Sequence, residues 1–264
     1  MAMVIGAGGI TGLNTISGLS SVSVNSATIG GLTLSGTAIG GLTSTPDLSL
    51  TGRLLSIQSY TAKTNSGNPS EISSSGASYT WTKPSGCKYV LVYVTGGGGG
   101  ARNNDNSYRG AGGGAGGTAI KFIDVSAVST VAVTVGGGGA HARGSGRGST
   151  GGTSSFGAYC SATGGIGGQT DSPYEGGLGG TATGGDFNIP GGGGEMAHGA
   201  DREGGGGASF WHKSGSNHHV TGTDSSPWVT HGHLGSGGGQ GHYSQNYLSY
   251  CNGGPGVVLV YNYS

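Results

Sequence analysis

Two histidines one residue apart, His231-Gly232-His233, are the clearest ligand spacing in this chain of 264 residues. Three copies of such a pair around a symmetry axis would present six imidazoles, enough for an octahedral divalent metal such as iron. His218-His219 and His198 read instead as surface contacts whose charge changes near pH ~6.5. Acidic chemistry has one local source, Glu195, Asp201 and Glu203, from which a carboxylate pair for glycoside hydrolysis could be drawn. Depolymerases of that kind sit on long parallel β-helices, and no sustained strand repeat occurs here beyond the first 50 residues. A G-x-S-x-G elbow, a phosphate loop and an H-E-x-x-H zinc site are all missing from the sequence. The expectation is a protein that binds rather than catalyses, with no resident cofactor.

The aromatics suggest what it binds with. Tyr108, Tyr174, Phe210, Trp211, Trp228, Tyr243 and Tyr247 fall in tracts rich in Ser, Asn and Gly, and Phe210, Trp211 and Trp228 share theirs with His218 and His219. Rigid aromatics give contact area at low entropic cost, so these nine residues form the candidate recognition surface. Some of the rings are expected to cover the glycine core instead. Eleven basic residues balance eleven acidic ones, which argues against nucleic acid as a partner; "ARGSGRG" (142–148) has too few arginines to act as an RGG tract. Cys87, Cys160 and Cys251 match no zinc spacing and are expected as free thiols, with a Cys160–Cys251 disulfide as the alternative. No residue before Asp47 is charged, so no basic n-region of a secretory signal is seen, and "MVIGAGGI" is too short to cross a bilayer.

Three textures of sequence must position these residues. Over 1–53 the unit Ile-Gly-Gly-Leu-Thr occurs at 29–33 and again at 39–43, and apolar pairs such as Val22 and Val24 alternate with polar residues. That pattern predicts β-ribbons needing a further layer, which several identical chains wound together would supply, or else a flexible tail. Over 54–135 the texture is that of a β-scaffold. A Tyr-Thr-Trp-Thr alternation and a Pro-Ser-Gly turn precede strands over 89–95, 118–125 and 130–135, and 256–262 reads as a fourth. The terminal strand is expected to pair with these, pinning both ends of residues 136–255 at one sheet.

The third region, 136–264, is a series of glycine blocks separated by the aromatic tracts. Glycine supplies 65 residues and proline 7, a composition shared with disordered chains, yet the small charge content lacks the repulsion that keeps such chains open. No strict Gly-X-Y period marks collagen. Extended segments with three residues per turn turn all their N–H and C=O groups outward. Bonded to one another, they would make an interior of main chain that needs few apolar side chains.

The order Trp81, "TKPSG", strand, "GGGGG", "GAGGGAGG", "TVAVTVGGGG", "GSTGGTSSFG", repeated glycine blocks and a closing "GGPGVVLVY" resembles the glycine-rich domain at the ends of bacteriophage tail fibres. It is also similar to the tail-fibre adhesins of T-even-type phages. The resemblance spans about residues 79–264. It implies an all-β fold with a polyglycine II sandwich on a small β-sheet scaffold, and variable loops that bind a bacterial surface protein or glycan. It further implies a virion protein at the distal end of the tail fibre, made in the host cytoplasm and joined to fibre or baseplate proteins. Residues 1–53 depart from the adhesin pattern and look like shaft or attachment segment, which favours a homotrimer. A polysaccharide depolymerase and a structural or ice-binding polyglycine protein are the alternative readings.

Overall fold

The computed structural model describes residues 52–62, 75–102, 110–142, 146–169, 175–196, 204–213, 232–239 and 251–264. Repeat unit 1–50 and its predicted ribbons lie outside them. The described residues belong to one compact unit, Ser49–Ser264, and contain no helix.

The fold is all-β, with two antiparallel sheets. The strands are β1 (Leu54–Thr61), β2 (Ala77–Thr82), β3 (Tyr89–Thr95), β4 (Thr118–Asp124), β5 (Thr130–Val135), β6 (Ser154–Phe156), β7 (Cys160–Ala162), β8 (Ala182–Thr183), β9 (Phe187–Ile189) and β10 (Val257–Tyr263). One sheet has the order β1-β10-β3-β4-β9 and the other β2-β5-β6-β7-β8. Alternation sets the faces, because successive side chains on a strand point to opposite sides. Val90, Val92 and Val94 of β3 and Val258 and Val260 of β10 point inward, toward Trp81, Val131, Val133, Val135 and Phe156 of the other sheet. Trp81 meets Phe156 edge to face at 5.8 Å, and its Nε1–H donates to Asn262 Oδ1 at 3.0 Å.

The terminal strand does pair with β3, Val258 opposite Val94 and Val260 opposite Val92. Its other edge is taken by β1, which leaves none for β5. The expectation that both ends of 136–255 are pinned at one sheet is therefore corrected: β5 closes the opposite sheet against β2 and β6. Thr130, Ala132 and Thr134 face outward there while its valines close the core.

The strands run directly into the glycine blocks, which form a second core made of backbone. Each N–H of residues 96–101 donates to another segment, and the recipient changes with a period of three. Gly96 and Gly99 donate to Gly117 and Gly114, Gly97 and Gly100 to Gly152 and Ser149, and Gly98 and Ala101 to Gly254 and Cys251. The carbonyls do the same in other directions. Those of Gly97 and Gly100 accept from Gly165 and Gly168, those of Gly98 and Ala101 from Gly139 and Ala142, and that of Gly99 from Gly238. Residues 96–101 are thus bonded to six surrounding segments, and bonds such as Gly151 N–H to Gly165 O and Gly253 N–H to Gly139 O close the ring around them. Residues 111–117 are the centre of a second ring. Their N–H groups reach Glu195 and Gly192, Gly238 and Gly235, and Ile166 and Thr163, while Gly177, Gly180 and Gly207 donate to their carbonyls. Buried backbone groups need partners, and here every N–H of residues 96–101 and 111–117 finds one in a neighbouring segment. At most of these positions a side chain does not fit: a Cβ on Gly98 would meet the carbonyl oxygen of Ser236, and one on Gly113 that of Gly99.

Candidate functional site

The lattice has two ends. Residues 96, 117, 136, 163, 190 and 256 adjoin strands and define the sheet end. At the far end, Arg102 forms β-bridges with Ala111 and Ala142, Ala111 bridges Met196, the Gln169 N–H donates to Glu175 O, and the Ala101 N–H donates to Cys251 O. Because successive segments run alternately away from and toward the sheets, the chain leaves and re-enters the lattice five times at this one end. The connections are 103–109, 143–145, 170–174, 197–203 and 240–250, all outside the described residues. Arg102, with no exposed surface, lies at the base of that end.

Tyr108, Tyr174, Tyr243 and Tyr247 belong to connections at the far end, and their own positions lie outside the described residues. Phe210 and Trp211 do not join them. They lie at the sheet end, on the outer face of the sheet that holds β3 and β10. Trp211 packs on Tyr93 at 5.6 Å and Phe210 on Tyr93 at 6.0 Å. The Trp211 Nε1–H donates to Thr95 Oγ1 at 2.8 Å. From Lys213 the chain departs again at this end, so the tract 214–231, with His218, His219 and Trp228, is rooted beside the sheet and lies outside the described residues. The nine candidate residues therefore trace to two ends of the glycine lattice.

His231 also lies outside the described residues, and His233 has a neighbour that spacing could not reveal. Its ring centroid is 4.6 Å from that of His212. His212 Nδ1 is 2.8 Å from Lys213 O, and the His233 N–H donates to Ser236 Oγ at 2.7 Å. Among the described residues no group of three or more His, Cys, Asp or Glu could hold a metal ion. Of the acidic group, Asp201 and Glu203 lie outside the described residues. Glu195 is bound into the lattice edge, where its backbone N–H donates to Gly205 O and its Oε2 accepts from the Gly205 N–H at 3.2 Å.

None of the three cysteines forms a disulfide, and all are buried. Burial pushes the Cys160 thiol up to about 11 and raises that of Cys87.

The glycine lattice grafted on a sandwich closed by the terminal strand is what places these groups, and a family model described as a glycine-rich domain matches residues 72–263. The chain belongs to that family. No curated protein matches it. The glycine-rich domain so defined takes in both sheets, apart from β1, and every lattice segment. Sequence reasoning found the glycine blocks and the aromatic tracts of this domain. It missed His212 as the partner of His233, since nothing in the spacing of residues 21 apart signals a contact.

Proposed function

We propose that this glycine-rich domain is the receptor-binding tip of a bacteriophage tail fibre, an adhesin that attaches the virion to a bacterial surface. Its glycine segments act as polyglycine II helices that hold the loops in place. The reading is supported by one observation above the others: the backbone lattice returns the chain five times to one end, and four of the candidate tyrosines belong to those connections. A rigid base with many variable connections at one end suits recognition, because preorganised loops lose little freedom on binding. Tyr108, Tyr174, Tyr243 and Tyr247 make the primary contacts. His218, His219 and Trp228 form a second contact from the tract rooted beside the sheet, while Phe210 and Trp211 hold the base of that tract.

The chain works as a homotrimer on the fibre or baseplate, and several fibres per virion multiply a modest affinity per site. His231 and His233 from three copies offer a divalent cation such as iron a place on the axis.

Binding of the labelled full chain to a panel of bacterial cells tests the reading. We expect saturable binding to some strains, lost when surface protein or surface glycan is removed by protease or periodate and lost when the four tyrosines are replaced by alanine. Binding that is equal on all strains and untouched by the tyrosine replacements would contradict it.

A further inference from the structure

The two sheets have unlike outer faces. On the sheet of β2, β5, β6, β7 and β8, the outward residues of the two longest strands are Ser78, Thr80, Thr82, Thr130, Ala132 and Thr134. A face of short hydroxyl side chains is content in water. On the other sheet many of the outward residues are large and apolar. Register places Ile57, Tyr261, Leu91 and Phe122 in one row across four strands, and Leu54, Tyr263 and Tyr89 in the next. Tyr89 and Phe122 stack at 5.4 Å, and Phe122 lies 6.5 Å from Tyr263. Phe122 is 53% exposed and Ile57 54%. Apolar side chains scattered singly over a surface are ordinary, whereas a contiguous apolar face marks an interaction site.

We infer that this face is an interface between copies of this chain. Size is the first support. Four adjoining strands of seven or eight residues give a face of roughly 20 Å by 20 Å at about 3.4 Å per residue and about 4.8 Å per strand, of which the end at Tyr93 is already covered by Phe210 and Trp211. Two such faces in contact remove roughly 1,000 Å² or more of accessible surface, the scale of a specific interface. Charge is the second support. Asp124 at the end of β4 is the one residue charged at neutral pH in these two rows, matching the depletion of charge and enrichment of Tyr and Phe at interface cores. The chain has formal net charge +0, so copies approach without long-range repulsion and a charged partner gains nothing from steering. A glycan fits less well. Its hydroxyls need planar polar side chains beside the rings, and the rows offer Asp124 as the one carboxylate or amide beside the tyrosine hydroxyls, leaving most sugar hydroxyls without partners. Three faces turned to a common axis would build the trimer proposed above; in copy number alone the inference rests on that reading.

Sedimentation velocity of the full chain across the micromolar range tests it. The wild-type protein should sediment as an oligomer. Ile57→Asp with Phe122→Asp should dissociate to monomer, and Thr80→Asp with Thr134→Asp on the opposite sheet should not. If the charged pair of variants disturbs folding, as circular dichroism would show, Ile57→Ser with Phe122→Ser decides, with dissociation expected to become easier by about tenfold or more. A wild-type monomer at every concentration would overturn the inference, and so would an oligomer that neither the Asp nor the Ser pair weakens. So would a monomer whose binding to glycans depends on Phe122. None of these results bears on whether the tyrosine connections bind cells.

Discussion

The Trp211 indole N–H donates to Thr95 Oγ1, and the Thr95 hydroxyl shares a second bond of 2.8 Å with Thr118 Oγ1. Thr95 ends β3 and Thr118 begins β4, so the indole is tied to the seam where sheet becomes glycine lattice. Trp211→Phe keeps the ring contact with Tyr93 and removes the bond. We expect a loss of about 1 kcal/mol of stability, read as a lower urea midpoint, with cell binding unchanged at saturating protein. An unshifted midpoint would show the bond to be incidental.

Glycine is required at some lattice positions and optional at others. Gly98→Ala and Gly113→Ala each drive a methyl group into a carbonyl oxygen of a neighbouring segment, and each should cost at least about 2 kcal/mol or prevent folding. Gly193 is open: its one neighbour within reach of an added Cβ is Gly177 O at 3.7 Å. Gly193→Ala should leave stability equal, or raise it by about 0.5 kcal/mol through the stiffer unfolded chain. Thermal denaturation of the three variants checks this contrast.

Asn262 is the polar centre of the sandwich. It accepts from Trp81 Nε1–H, and its Nδ2 donates to Ser56 Oγ at 3.1 Å and lies 3.4 Å from Gln58 Oε1. Asn262→Val strands the buried indole N–H and should cost about 2–3 kcal/mol, measured by chemical denaturation. Adding Trp81→Phe should recover part of that loss, since the stranded donor is then gone.

Cysteine chemistry gives a prediction in pH. Because the Cys160 thiol is pushed up to about 11 in the folded chain, from 9.0, folding holds its proton where the unfolded chain releases it. The stabilisation is full below pH 9 and is lost as pH rises through about 11. Cys160→Ala should remove this part of the alkaline decline in denaturant midpoint. At neutral pH none of the three buried thiols should react with a thiol reagent until the chain is unfolded.

Much of this architecture was legible in the sequence, and the gaps have physical causes. β3, β5 and β10 show plainly because alternating valines mark a strand with one buried face. β1 hides because its pattern is inverted: Ser56 and Gln58 face inward to serve Asn262, while Ile57 faces out. β6, β7, β8 and β9 have two or three residues each, too few to carry a period. The glycine blocks announce a backbone core, but nothing in a run of identical residues says that 96–101 and 111–117 are its centres. Trp211 reads as a recognition residue until its partner, 116 residues upstream, is seen.

Amide hydrogen exchange on the assembled full chain tests most directly whether peptide backbone is this protein's interior. The N–H groups of residues 97–101 and 112–117 should be protected as strongly as those of β3, because each donates to a backbone carbonyl of another segment. Exchange of those amides at the rate of an open chain, while β3 stays protected, would contradict the account.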